Sequence, residues 1–476
     1  MPEERTEVLL VTPLPPMQTG LATYAARVLK HTSEQIRWVV ASPPGGEPDS
    51  VPGIARHIPL DRLDRSHVPS LRIFQIGNSP HCFPVVQALY SMGGTALFHE
   101  TVLHHMLRDG YLRRGRMDDY RRELRFCYGP AAEAVEKRLS GTASSSDEYD
   151  VLLKEYPLLG RTVNSSGSAL CLNGYAAAGI RDSYPPGAVM VLGHPLSPVP
   201  HLRTVEKPFR VCLGMVGACH PGRNLEQVLA AMEKVRETEP EAGLLLIGGG
   251  YPDGLPPWAV TTGRLEEPLY QSWIRTLDLV LDLRHPTCGE TSGSLLEAMR
   301  AGVPSVVSAS GAFLNLPSDA VIRVPPDNMV QAVPAAVRTV LGNDRLRKAL
   351  SEAARIHAED TGSVRRLEED WKQAVRMAMK FTAAGGEEEG NHSLSPSWTE
   401  PPPGFARELN TPSVTWTFQG SGSLTGPAGA TGAFVTAWGK GSVNGRPLPV
   451  DAGTHYVPGR ELVFTGTGWI SDVLWE

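Results

Sequence analysis

Residues 284–308 read RHPTCGETSGSLLEAMRAGVPSVVS, and the fold is decided here. The apolar run Leu277–Leu283 ends as a strand just before this stretch, and a loop of Gly, Thr and Ser follows it. A helix is predicted over Gly293–Ala301 and a further strand over Ser305–Ser308. Strand, loop, helix and strand in that order form the repeating unit of a parallel sheet. The helix start offers unbonded N–H groups and the positive end of the helix dipole, an arrangement suited to a diphosphate. Glu290 lies in the loop and Glu297 about one turn into the helix. Carboxylates in those places suit sugar hydroxyls and a ribose respectively. An ordinary strand-loop-helix with a glutamate near its dipole fits the same residues equally well.

The alternation continues on both sides. Towards the N-terminus lie a strand at Phe209–Val216, a helix at Leu225–Thr238 and a strand at Gly243–Ile247 that ends in GGG. Towards the C-terminus lie the run Ala320–Val324, helices at 328–342 and 344–359, and an amphipathic helix at 363–381. An earlier unit has strands at Val8–Thr12, Ile36–Ala41, Leu71–Ile76, Thr95–Phe98, Ala169–Leu172 and Ala188–Leu192. Its polar, helical stretch 106–160 is broken by SGTASSSD, and the Pro-rich HPLSPVP joins it to the second unit. Two α/β units on a hinge form a cleft, and ligands favour domain interfaces and the carboxyl edges of strands. The expected domains are residues 1–197 and 198–362, with the helix 363–381 packing back on the first. A Gly, Glu, Ser and Pro-rich linker spans 382–404. Residues 405–476 lack helical periodicity, contain short β-prone runs such as VTWTF and AFVTAW, and read as a small all-β module.

The ordered landmarks of residues 6–381 resemble family-4 glycosyltransferases. LLVTPLPPMQTGLATYAARVL resembles that family's first strand and glycine loop, and FRVCLGMVGACHPGRNLEQVLAAM its phosphate-binding loop. LLLIGGG and VTTGRL resemble the following strand and nucleobase loop, and residues 284–308 the donor signature. The resemblance implies an α/β fold of GT-B type, with two Rossmann-like domains facing a cleft. It also implies sugar transfer from a nucleoside-diphosphate donor with retention of configuration, and without metal or cofactor. Glu297 would bind the ribose, and Gly263 and Arg264 would surround the base. Gly217, Arg223, Asn224 and the N–H groups of Thr291, Ser292, Gly293 and Ser294 would hold the diphosphate. Glu290 would orient the sugar, His99 would contact it from the first domain, and Gly20 would approach donor or acceptor. His99 and Glu290 are the catalytic candidates. His104 and His105 read as surface or acceptor-side residues.

The sequence departs from the family pattern at two points. Its glutamates are usually one position further apart than Glu290 and Glu297, which are seven apart here. A loop adjustment would let Glu290 serve. Ala218 stands where the family often has Arg, so His220 or Arg264 would have to supply the missing charge. Arg223, which stands where the family often has Lys, can pair with a diphosphate in bidentate fashion.

Composition narrows the remaining classes. A formal charge of −6 disfavours non-specific binding to nucleic acid. The six scattered cysteines contain no CxxC pair, which fits reduced thiols in a cytoplasmic protein. The start MPEERTEVLLV has no leader pattern, and no apolar run approaches the ~18–20 residues that span a bilayer. HETVLHH is not a zinc-binding HExxH, and Asp-x-Asp, P-loop and GxSxG motifs are absent. The arginines between 113 and 125 alternate with acids, as in a solvated helix, and peripheral contact with anionic lipid stays open. The acceptor is unspecified, and its recognition by the β module is an attractive use of tethering. A nucleotide-sugar epimerase and a non-catalytic carbohydrate- or protein-binding adaptor are the alternatives.

Overall fold

The computed structural model describes residues 5–142, 147–196 and 199–382, and the strands 405–407, 416–425, 432–443, 446–447, 453–458 and 461–475. The expected linker, apart from Thr382, lies outside the described residues. The first unit contains strands β1 (Thr6–Val11), β2 (Ile36–Ser42), β3 (Ile54–Pro59), β4 (Arg72–Ile76), β5 (Gly94–Phe98), β6 (Ser166–Cys171) and β7 (Val189–Val191). Helices α1 (Gly20–Thr32), α2 (Phe83–Met92), α3 (His104–Leu112), α4 (Met117–Tyr128), α5 (Ala132–Gly141), α6 (Asp147–Glu155), α7 (Gly160–Asn164) and α8 (Gly174–Ile180) accompany them. The second unit has β8 (Val211–Val216), β9 (Ala242–Ile247), β10 (Ala259–Gly263), β11 (Leu279–Asp282), β12 (Ser305–Ser308) and β13 (Ile322–Val324). Its helices are α9 (Leu225–Thr238), α10 (Glu267–Ile274), α11 (Gly293–Arg300), α12 (Met329–Leu341) and α13 (Asp344–Gly362), and α14 (Val364–Thr382) follows.

Both sheets are parallel, in the orders β3-β2-β1-β4-β5-β6-β7 and β10-β9-β8-β11-β12-β13. Their central strands are apolar on both faces, as helices on either side require. Side-chain alternation sends Leu9 and Val11 into one core and Val8 and Leu10 into the core on the opposite face. In each sheet the strand order reverses between two central strands, β1 and β4 in the first, β8 and β11 in the second. Ligands bind outside the carboxyl ends of strands at such switch points. The segments there are Thr12–Thr19 after β1, Gly217 after β8 and the 283–292 loop after β11.

Two strands differ from the sequence reading. β3 was not anticipated, and β10 includes most of VTTGRL, which was expected to be loop. Both lie at sheet edges, where β3 has no fully buried residue and β10 only one, so neither has the continuous apolar pattern of an inner strand. The arginine-rich stretch pairs locally, with Arg116 and Arg122 on Asp119 and Arg121 on Glu136. Beyond residue 404 the described strands pair antiparallel, Trp416–Thr425 and Gly432–Val443 each with Glu461–Trp475.

α14 returns to the first unit. Trp371 packs edge-on against Trp38 with ring centroids 5.3 Å apart, in a core shared with Leu367, Ala374, Val8, Leu10 and Val28. Asp370 accepts a hydrogen bond from Gly193 N (2.8 Å), fixing the chain where it leaves β7. Trp371 is fully buried. Trp371→Ala should therefore cost about 3–5 kcal/mol in chemical denaturation. The same change at Ile356, 55% exposed on α13, should stay within about 0.5 kcal/mol.

Candidate active site

The carboxyl end of β11 puts Asp282 at the centre of the second unit's site. Asp282 is 1% exposed and accepts from Arg223 Nη2 (3.1 Å), Arg284 Nε (3.0 Å) and the Ser292 hydroxyl (2.5 Å). Burial opposes its charge, but Arg284 and Arg223 outweigh that and hold its pKa below the usual carboxylate range. Ser292 caps α11 by accepting from Leu295 N (3.2 Å) and also accepts from Arg284 Nη2 (2.7 Å). Arg284 reaches on to Glu290 Oε1 (3.2 Å). Glu290 Oε2 accepts from the Thr287 hydroxyl (3.0 Å) and Cys288 N (2.8 Å). Burial works against the Glu290 charge too, but Arg284 and these donors keep its pKa low. Glu290 is thus a fixed carboxylate.

The phosphate loop approaches from β8. Gly217 has φ +112°, and a Cβ there would stand 2.7 Å from Arg223 Nη1 and 3.1 Å from Ser294 Oγ. Only a glycine lets the backbone, the guanidinium and α11 meet so closely. Arg223 is 1% exposed and donates to Val216 O (2.6 Å) as well as to Asp282. It lies beneath the loop, with both terminal nitrogens engaged and Nε buried without a protein partner among the described residues. Asn224 adopts φ +53° and donates to Leu283 O (3.1 Å), joining this loop to the end of β11. Gly263, with φ +65°, is half-buried, and Arg264 is exposed at the rim of the cleft.

Glu297 is 3% exposed and already engaged. It accepts from Gln271 Nε2 (3.0 Å) and Arg300, and Arg27 of α1 lies 3.4 Å away across the domain boundary.

From the first unit, Gly20 opens α1 with Thr19 as its cap and open space about its Cα. His99 follows β5, with its ring edge-on to Tyr24 at 4.8 Å. Gln75 settles the tautomer of His99. Its Oε1 accepts from Thr12 (2.8 Å), and its Nε2 donates to Leu21 O and to His99 Nε2 (both 2.9 Å). His99 therefore carries its proton on Nδ1. Burial, aided by neighbouring His194, lowers its pKa to about 3, so it offers hydrogen bonds but no charge. His194, part of the Pro-rich segment read as linker, also packs on Tyr24 (5.6 Å). A Cβ at Gly293 would lie 2.9 Å from its Cε1. His194 therefore stands at the N-terminus of α11. His104 is a correction to the sequence reading: it is fully buried, bonded to Tyr156 O and to the Tyr120 hydroxyl (2.7 Å). A buried imidazole satisfied at both nitrogens is core structure. His105 is half-buried and meets Asn78 Nδ2 (2.9 Å).

Sequence reasoning missed Asp282, Arg284 and His194. The available signal was LDLR, two charged residues closing an apolar strand at its functional edge. It also missed Glu100, whose carboxyl feels the charges of Glu290, Arg284 and Lys154. Burial, with the Glu290 charge adding to it, pushes the Glu100 pKa up to about 8, although the Asn78 N–H, Arg284 and Lys154 pull the other way. An acid with a raised folded-state pKa favours folding below its unfolded pKa, and that contribution is lost as pH rises through the folded value. The stability of Glu100→Gln relative to the parent should thus rise between about pH 4.5 and 8 and level off above. Denaturation midpoints across that range would measure it, and a flat difference would show that Glu100 ionises normally.

No curated protein matches this chain. Residues 210–343 match the family model described as glycosyl transferases group 1. Among solved structures, sucrose-phosphate synthase (tll1590) from Thermosynechococcus elongatus is similar at 13% identity and TM-score 0.54, over 79% of this chain and 100% of that one. Anabaena Alr3699/HepE in complex with UDP and glucose is similar at 10% identity and TM-score 0.53, over 78% and 100%. WaaG, a glycosyltransferase involved in lipopolysaccharide biosynthesis, is similar at 15% identity and TM-score 0.50, over 78% and 99%. At such identities the structural likeness concerns the fold, two parallel-sheet α/β units of GT-B type. The part of this chain that is similar to group 1 glycosyl transferases, residues 210–343, is the second unit from β8 to α12.

Proposed function

We propose that the protein transfers a sugar from a nucleoside-diphosphate donor to an acceptor hydroxyl, with retention of configuration and without a metal. One observation supports the reading: the N-terminus of α11, the fixed carboxylate of Glu290 and the Gly217 loop gather at the carboxyl ends of β8 and β11, and His194 of the first unit, packed on the same Tyr24 as His99, stands at the start of α11. The diphosphate would lie over Gly217 against the N–H groups of Thr291–Ser294. Arg223 would add positive charge from beneath, and charge developing on the leaving group would be stabilised by donors already in position. Glu290 would accept from sugar hydroxyls, and neutral His99 would meet the sugar from the opposite wall. Ribose at Glu297 would take the place of Arg27, and Gly263 and Arg264 would border the base. Contact between the two units excludes water, which limits donor hydrolysis.

The donor domain is read as residues 198–362 and the acceptor side as residues 1–197, with 363–381 packed on the latter. Residues 405–476 would form a β module that recognises the acceptor, a glycan, lipid-linked glycan, natural product or protein. All six cysteines are free and four are buried, which suits the cytoplasm. UDP is the first nucleotide to try, because the HepE structure is a complex with UDP and glucose.

The test is thermal stability of the parent and of Glu297→Ala with UDP, GDP, ADP and TDP in a chelator. A nucleotide at a hundred times its dissociation constant adds about 2.7 kcal/mol. One of the four should stabilise the parent and not the variant. No stabilisation of the parent by any of them would overturn the donor site. Binding without nucleotide release on any acceptor would favour the adaptor, and sugar interconversion without release the epimerase.

A further inference from the structure

The loop that presents Glu290 belongs to the second unit, yet much of what holds it comes from the first. Thr101 N donates to Cys288 O (2.8 Å). Asn173 Nδ2 donates to both Gly289 O and Thr291 Oγ1 (2.9 Å each), and Thr291 Oγ1 donates back to Leu172 O (2.9 Å). Tyr175 N donates to Asn315 Oδ1 (2.5 Å). Gly289 has φ +81°, and a Cβ there would stand 2.5 Å from Thr101 Oγ1, so only glycine allows the two units to close to this distance.

Asn173 does two separable things. Its Oδ1 caps α8 by accepting from Ala176 N (2.7 Å). That bond orients the amide, because a backbone N–H needs the oxygen and the Gly289 carbonyl needs the nitrogen. The NH₂ group is thereby aimed across the domain boundary at the two residues flanking Glu290.

We infer that Asn173 is a positioning residue that holds the Gly289–Thr291 loop from the opposite domain, so the sugar-facing part of the donor site is complete only while the units are together. The role in donor binding rests on the function proposed above. The mechanical role does not. Nucleotide held by the Gly217 loop and α11 depends on Asn173 only through Thr291, whereas the sugar held by Glu290 depends on it through both flanking residues.

Asn173→Ser tests this, because serine caps helices as well as asparagine but is too short to cross the boundary. Hydrogen exchange on the unliganded protein is read first. Amides of residues 289–292 should exchange faster in the variant, and those of α8 should be unchanged. An unchanged loop, or a melted α8, would overturn the mechanical role. Calorimetry then compares UDP, GDP, ADP and TDP with their glucose conjugates. For the pair that binds the parent, the variant should bind the bare nucleotide nearly as well and lose about tenfold on the conjugate, the scale of one lost hydrogen bond network contact. Thr291→Val should cost less in the Asn173→Ser background than in the parent, since only the bond from Thr291 to Leu172 O is then left to lose. Equal losses on nucleotide and conjugate would mean general destabilisation and sink the positioning role. Failure of every pair to bind the parent would instead remove the donor-site reading, and the sugar-positioning role with it.

Discussion

The carboxylate of Asp282 is the constraint on which the site depends. It joins two arginines from different segments and the cap of α11 at the end of one central strand. Arg223 cannot lie beneath the Gly217 loop without it, and Arg284 cannot hold Glu290. Removing one partner from such a buried group typically costs about 3–5 kcal/mol, because the remaining charges are left uncompensated. The arrangement therefore sets itself: any geometry that breaks one pair strands a guanidinium in the interior. A β11 that ends in aspartate gives the second unit a rigid donor face before any ligand arrives.

That rigidity stops at the domain boundary, where the contacts are of another kind. Arg27 with Glu297 is an ion pair across it, but the bonds that clamp the 288–291 loop are neutral, between amides, hydroxyls and backbone. Neutral hydrogen bonds are worth about 0.5–1.5 kcal/mol net, a range in which several can form and part together. The cluster around Asp282 is thus held by charge, and the loop's junction with the first unit by exchangeable neutral bonds, a combination suited to closure over a ligand.

Much of this was legible in the sequence, and the exceptions have physical causes. Strands buried on both faces are continuous apolar runs, so the inner strands of both sheets were read correctly, whereas edge strands β3 and β10 carry mixed residues and read as loop. The start of α11 was legible because Ser292 and Gly293 are cap and helix-start residues following an apolar strand. Arg223 and Glu297 stand out in the sequence, but their partners do not, since pairing with Asp282, Gln271 and Arg27 depends on segments far apart in the chain. His194 was hidden by the prolines around it. Asn173 could have been read from CLNG, an asparagine between a strand and a helix, but its second partner lies 116 residues away.

The two walls of the cleft differ in charge. On the first unit's side, His99 and His194 are kept neutral by burial, their pKa values lowered to about 3 and about 4, and Glu100 holds its proton to about pH 8. Lys154, buried on α6, and Arg27 of α1, paired with Glu297, are the exceptions. On the second unit's side, Asp282, Glu290, Arg223 and Arg284 are charged and paired. A dianionic diphosphate entering between them meets fixed dipoles and cations on one wall and a nearly neutral surface on the other. It would therefore settle on the second unit whatever the position of the first. Glu100 fits the same division: ionised, it would set a like charge against Glu290, and against a diphosphate bound as proposed, so a first-unit wall that keeps this proton would oppose such an anion less.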